Sequence, residues 1–476
     1  MSAGERGDSA DLLLSDGFVV TMNGAREVLS DGAIAIDGGQ IVAVGRSAEV
    51  EAAYPHARQR RQLDGALVHP GLVDAHEHTA MHLARGWLPD FFDLDDTHRR
   101  FEVPLFAEIS AEDEHFGTLL AAMEMVSNGT TAFGDTGSAV HGAGSVDGVI
   151  DAANTVGIRA RTGGLIVDRM SDGYGIPQLN RSTEECLAAL EHQLSAHPTA
   201  AEHRAGCWVT LLGIGLCSDE LLVGAAELAE KYRTQVSMHQ SCYDWEVNEF
   251  VAARGGRRPI EHLFEVGLLG PNTSLVHMIF LTRGEIERLS DTGTTVVHCP
   301  GASTRNAMSA ARFGLFPEML SAGVPVGLGS DQGNSSDGLD VLRMAYLASM
   351  LHKEVRGELP ALSVEQSLEM ATIHGARVLG LGDHIGSLEV GKRADVVIHR
   401  RDLPEMHPPF DPINNLVLAA QSKSVDTVLI DGRPVVDAGR LTTVDAAAVL
   451  AEVDSRAASL AARMGYQPQR RWPVVD

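Results

Sequence analysis

The sequence predicts an α/β fold: a (β/α)8 TIM barrel carrying a small β-sandwich built from the two chain ends. Three observations carry that prediction. Four β-like runs that end in metal-favouring side chains recur in order along the chain. Apolar runs alternate with amphipathic stretches through the middle of the chain, as parallel α/β architectures require. Each chain end holds a hairpin pattern that would be marginal alone.

Near the N-terminus, residues 33–45 read as two alternating strands around Gly38-Gly39. Residues 427–436 repeat the design around Asp431-Gly432. Two such hairpins flanking a barrel most economically share one domain, expected over 9–66 and 383–441. The barrel is expected over 67–382. Its eight strands are read at 66–78, 130–135, 158–166, 207–216, 235–239, 274–279, 295–298 and 324–331. Helical stretches lie between them, including 112–127, 183–194, 220–232, 282–292 and 339–352, with Asp219 and Thr282 as expected N-caps. The remainder, 442–476, reads as an Ala-rich helix over 445–464 capped by Asp445, then a tail without period.

The metal-favouring ends are Asp74-Ala75-His76-Glu77-His78, Met238-His239, Val276-His277 and Ser330-Asp331. With 20 histidines in 476 residues, chance supplies roughly one His-x-His, so the first segment alone proves little. Order and spacing carry the weight. Strand alternation puts His76 and His78 on one face. The steps from His78 to His239, to His277 and to Asp331 are 161, 38 and 54 residues. A barrel unit averages about 31 residues, and although the first step is longer than four such units, the steps suggest strands one, five, six and eight, where barrels place functional groups at the C-terminal ends. Three imidazoles and a carboxylate suit Zn²⁺ or Fe²⁺ with a position open for water, which points to a metal-activated hydrolase.

Composition narrows the alternatives. Hydrophobic residues make up 44%, enough for a large core, and the length suggests two domains. A net charge of −26 opposes binding to nucleic acid or to an anionic membrane surface, and no apolar run approaches the roughly 20 residues of a span. The polar start of the chain lacks a signal-peptide pattern, so a cytoplasmic location is expected. Cys186, Cys207, Cys217, Cys242 and Cys299 show neither metal spacing nor a disulfide framework. The glycines between Gly134 and Gly144 lack the ending of a phosphate loop.

Over nearly its whole length the chain resembles the amidohydrolase superfamily, in the mononuclear branch of cytosine, guanine and S-adenosylhomocysteine deaminases and triazine hydrolases. The matching stretches are His69-Pro70-Gly71-Leu72-Val73-Asp74-Ala75-His76-Glu77-His78, Val297-His298-Cys299-Pro300, Gly329-Ser330-Asp331 and Ile385-Gly386-Ser387-Leu388-Glu389-Val390-Gly391-Lys392-Arg393-Ala394-Asp395. The last marks where this family re-enters its β-sandwich. The resemblance implies His76, His78, His239 and Asp331 as metal ligands, with His277 polarising the substrate. Binuclear relatives bridge two ions with a carboxylated Lys on strand four; 208–216 holds none, so one divalent ion is expected, Zn²⁺ ahead of Fe²⁺. The implied reaction is hydrolytic deamination of a nitrogen heterocycle, with Asp331 taking the water's proton, and the implied state is a homo-oligomer acting on a small molecule.

One position departs from the family. Its deaminases place Glu three residues after the strand-five His, where it shuttles a proton to the leaving amine; here that residue is Cys242. A thiol is a poor substitute. The departure raises a second reading, a different leaving group such as chloride, or opening of a cyclic amide. Asp244 and Glu246 are the nearby carboxyls, and a nucleophilic Cys242 is a further option. Trp87, Phe91 and Phe92 after strand one, Trp245, and His298 at the end of strand seven are candidate substrate contacts or packing residues. Asn334 and Ser336 read as turn or cap residues.

Overall fold

The computed structural model describes residues 9–137, 143–169, 181–199, 203–333, 336–472 and 474–475. Asn334 lies outside them, as does part of the glycine-rich stretch up to Gly144.

The N-terminal segment forms β1 (Leu12–Val20), β2 (Val28–Asp37), β3 (Gln40–Arg46), β4 (Gln59–Gln62) and β5 (Leu67–Pro70). The barrel then begins with β6 (Leu72–His78), β7 (Thr130–Asp135) and β8 (Arg159–Thr162). Strand four of the barrel comes in two pieces, β9 (Ala205–Cys207) and β10 (Val209–Leu211), parted only by Trp208. β11 (Val236–Gln240), β12 (Thr273–His277) and β13 (Thr295–His298) follow. Strand eight is likewise split, into β14 (Val326–Leu328) and β15 (Asp331–Gln332). β9 pairs with β8 and β10 with β11; β14 pairs with β13 and β15 with β6, all parallel. The two five-stranded sheets therefore follow one another around a ring of eight.

Strand alternation explains the two cores. Leu211, Met238, Leu275 and Val296 face outward into the large cluster shared with the surrounding helices. Val73, Ala132, Trp208, Val276 and Val297 share one cluster although they come from strands all around the ring. Only the barrel axis permits that. Ala376, Val378 and Leu379, from the chain after strand eight, pack into the same cluster.

The chain returns through β16 (Val396–His399), β17 (Val425–Ile430), β18 (Arg433–Asp437) and β19 (Arg440–Leu441). Both chain ends form one nine-stranded sheet, joined where β16 lies antiparallel to β5. The two expected hairpins are β2–β3 and β17–β18, and their turns meet. Gly39 has φ 78°, and a Cβ there would lie 2.9 Å from the Asp431 carbonyl oxygen, so this contact requires glycine.

A buried ion network ties this sheet to the barrel. Arg159 on β8 donates to both carboxylate oxygens of Asp395 at 2.8 and 3.0 Å and also pairs with Asp431. Asp431 further holds Arg204 at 2.8 Å and Arg393 at 2.7 Å. Beside it, His69 and His399 face each other through Nε2 at 2.7 Å.

The helices follow the sequence reading, with one correction. Thr282 caps Arg283–Thr292 with a full capping box, and Asp445 caps Ala446–Met464. The cap of Asp219–Tyr232 is Ser218, whose hydroxyl accepts from Leu221 N–H. Asp219 is the first helical residue and instead binds Arg254 and His262. After the last helix, Tyr466 folds back and stacks on Trp87, ring centroids 4.6 Å apart, its hydroxyl donating to the Trp87 carbonyl.

Candidate active site

His76 and His78 close β6, His239 lies near the end of β11, His277 ends β12 and Asp331 opens β15. All five stand at C-terminal ends of barrel strands, and the structure brings them together. Asp331 Oδ1 lies 3.4 Å from His76 Nε2 and 3.8 Å from His78 Nε2; its Oδ2 lies 3.8 Å from His277 Nε2. His78 and His239 bring their Nε2 atoms to 3.3 Å. Backbone strain accompanies the arrangement: His277 has φ 75° and Asp331 φ 64°, a left-handed region that L side chains occupy at a cost of about 1–3 kcal/mol each.

Hydrogen bonds on the far side of the rings fix which nitrogens face inward. His239 Nδ1 lies 3.1 Å from the Leu212 carbonyl, which can only accept, so that nitrogen carries the proton and Nε2 is bare. His78 is held by the Gly137 backbone in the same sense. His76 Nδ1 pairs with Thr136 Oγ1 at 2.5 Å, and its Nε2 is buried with no hydrogen-bond partner. Such contacts are the usual means of orienting metal-binding imidazoles. Asp74 braces the cluster from behind, accepting Ser330 N–H at 3.0 Å.

Electrostatics point the same way. Burial lowers the pKa of His78 to about 3 and of His277 to about 4, and takes His239 well below its usual value; neighbouring imidazoles add to each shift. These rings are neutral at pH 7. Burial opposes the charge on Asp331, but His76, His277 and His78 around it outweigh that and hold the carboxyl well below the usual range. The site thus presents bare nitrogen lone pairs and a carboxylate. His76, His78 and Asp331 place donor atoms within 4.8 Å of one another, as do His76, His239 and His277. A divalent cation fits this donor set.

Other candidates lie elsewhere. His298 faces away from the cluster, because alternation puts Val297 and Cys299 on the axial side. It stacks on Phe316 at 3.9 Å and lines a cavity of about 200 Å³ with Ser303 and Thr304. Trp87 is engaged by Tyr466, Arg100 stands over Phe92, and Arg471 over Phe91. Trp245 is half-exposed and stacks on Tyr243. Ser336 donates to the Gly338 carbonyl, within its own turn. Cys242 is buried, and burial pushes its thiol well up, with Glu246 and Asp331 adding to the effect. It is protonated at neutral pH. Glu246 accepts the Cys242 N–H at 3.0 Å, and burial raises its carboxyl pKa. The sequence reading missed Cys299, whose sulfur groups with donor atoms of His277 and Asp331. Alternation from Val297 was the signal for it.

The Amidohydrolase family model matches residues 67–435. The chain belongs to the amidohydrolase family. Among the curated relatives of this amidohydrolase, a 5-methylthioadenosine/S-adenosylhomocysteine deaminase of Syntrophobacter fumaroxidans is 35% identical, over 93% of this chain and 97% of the relative. A 5'-deoxyadenosine deaminase of Methanosarcina acetivorans is 30% identical over 95% and 99%. Among solved structures, an adenosine deaminase from Xanthomonas campestris with bound zinc superposes with a TM-score of 0.87, at 29% identity, covering 96% of this chain and all of that one. This amidohydrolase is therefore a hydrolase of the deaminase group, acting on C–N bonds.

Proposed function

We propose that this amidohydrolase deaminates an adenine nucleoside or a close nitrogen heterocycle, using one divalent ion, zinc first, held by His76, His78, His239 and Asp331. The convergence of bare imidazole nitrogens on the Asp331 carboxylate carries the proposal. The full-length likeness to deaminases of modified adenine nucleosides supports the substrate class. When bound, the ion supplies a water acidified to near-neutral pKa. Asp331, ionised at the cluster, would accept a proton from the attacking water. His277 donates a hydrogen bond to the attacked centre from its neutral ring, matching charge as it develops.

The leaving amine needs a proton, and Cys242 is too weak an acid to supply it. Glu246 is the proposed carrier: its carboxyl sits on the Cys242 backbone, and burial raises its pKa above the usual carboxylate value. The same position favours a second reading. Chloride departs without a proton, so Cys242 suits dechlorination better than it suits deamination. Ammonia release and chloride release, measured on adenine nucleosides and on amino- and chlorotriazines with zinc-loaded protein, separate the two. Ammonia lost on chelation establishes the first; chloride without ammonia establishes the second.

A cytoplasmic homo-oligomer is proposed on the resemblance. Among the described residues no helix is long and apolar enough to cross a membrane. The native mass in solution tests the assembly.

A further inference from the structure

Asp331 has two oxygens that face different partners. Oδ1 lies toward His76 and His78, whereas Oδ2 lies toward His277. A third group lies near His277 and this carboxylate, the thiol of Cys299. Its sulfur and the donor atoms of His277 and Asp331 lie within 4.8 Å of one another, and all three residues are buried. Donor atoms on one tetrahedral ion sit roughly 3.3–3.8 Å apart, so side-chain shifts of about an ångström complete the triad.

The thiol is held there by close packing. At Gly329, two residues before Asp331, a Cβ would come within 2.9 Å of Cys299 Sγ and 2.9 Å of His76 Cβ. Strand eight carries no side chain at the point where strand seven's sulfur and strand one's ligand press on it. His76 Nε2, buried and unpartnered, marks the first ion's side of the same carboxylate.

We propose that His277, Cys299 and Asp331 form a second cation subsite, selective for thiophilic divalent ions, which shares the Asp331 carboxylate with the first. The proposal rests on the metal reading of His76, His78, His239 and Asp331 above. Imidazole, thiolate and carboxylate together favour ions such as Zn²⁺, Co²⁺ or Cd²⁺ over Mg²⁺ or Ca²⁺. Binding forms a metal–sulfur bond and releases the thiol proton to solvent; no electrons are transferred. Filling the subsite withdraws His277 and the second Asp331 oxygen from the reaction. The subsite is therefore inhibitory, and excess zinc suppresses the turnover that the first ion supports.

Titration of metal-free protein with Co²⁺ tests this without reference to turnover. The expected result is two equivalents per chain, the first without a sulfur-to-cobalt charge-transfer band. The second brings that band and releases a proton into weak buffer. Cys299→Ser is expected to keep the first equivalent and lose the second together with the band; Cys299→Ala serves if the serine variant does not fold. A single equivalent, a band on the first equivalent, or a band that survives loss of Cys299 would each overturn the subsite. Failure of the wild type to bind any cobalt would overturn the metal reading itself, and the subsite with it.

Discussion

The seam between barrel and terminal sheet and the cluster at the strand ends are both buried and both polar, yet they are balanced in opposite ways. At the seam the chain supplies both signs: Arg159, Arg204 and Arg393 meet Asp395 and Asp431. At the strand ends it supplies one carboxylate, rings that burial keeps neutral, and in His78 and His239 inward nitrogens with no proton to share. A buried charge without a partner is costly. The seam is complete when the chain has folded, whereas the proposed role of the cluster calls for a cation from solution. One network serves cohesion and the other is the proposed seat of the chemistry.

The difference can be broken from either side. Asp331→Asn removes the cluster's charge, and its kcat is expected to fall on the order of 10²–10⁴-fold. Chelation of the wild type should abolish turnover, with Zn²⁺ restoring it; activity that persists in both tests would place the chemistry elsewhere. At the seam, Asp395→Ala leaves Arg159 with Asp431 alone and is expected to cost about 3 kcal/mol of stability, read from urea midpoints. Its kcat, measured on the folded fraction, should hold. A large loss of kcat at an unchanged midpoint would erase the distinction between the two networks.

Acid sharpens the comparison. Burial lowers His69 from its ordinary 6.5 to about 4, and His399 shifts the same way. Their neutral forms are the native ones, so the stability they contribute is full above pH 6.5 and falls as pH drops toward 4. For His69 alone the loss is roughly 3 kcal/mol. The measurement is the slope of stability against pH, expected to be flatter when His69 and His399 are both replaced by Gln. An equal slope would place the acid sensitivity elsewhere.

The smallest expected effect separates two roles of one residue. Glu246 stands at the third position of the helix Asp244–Ala253, where Gln caps as well as Glu. Glu246→Gln is therefore expected to leave the melting midpoint in place while lowering kcat about 10²-fold. Cys242→Glu in the same background should recover part of the loss. An unchanged kcat would make Glu246 a cap and nothing more.

Much of this was legible before folding. The strand-end cluster was readable because barrels place function at strand C-termini and because its residues close β-like runs that recur along the chain. The hairpins were readable because Gly38-Gly39 and Asp431-Gly432 turn only one way. The Asp219 cap was misplaced because Ser218 and Asp219 are both good caps and only the helix start chooses between them. His298 drew attention as a histidine, although alternation along 295–298 turns it outward and Cys299 inward. Trp87 could not be assigned, since its partner Tyr466 is 379 residues away in sequence.

By itself the sequence determined the barrel, the terminal sheet and the candidate ligands at the strand ends, because periodicity, turn chemistry and strand order are local or additive along the chain. Only the tertiary structure decided which nitrogens are bare, which carboxyl stands behind Cys242, and that the Cys299 sulfur lies near the Asp331 carboxylate. Those facts depend on contacts between strands that close the ring, and on how deeply burial suppresses charge. Neither is written in any one segment.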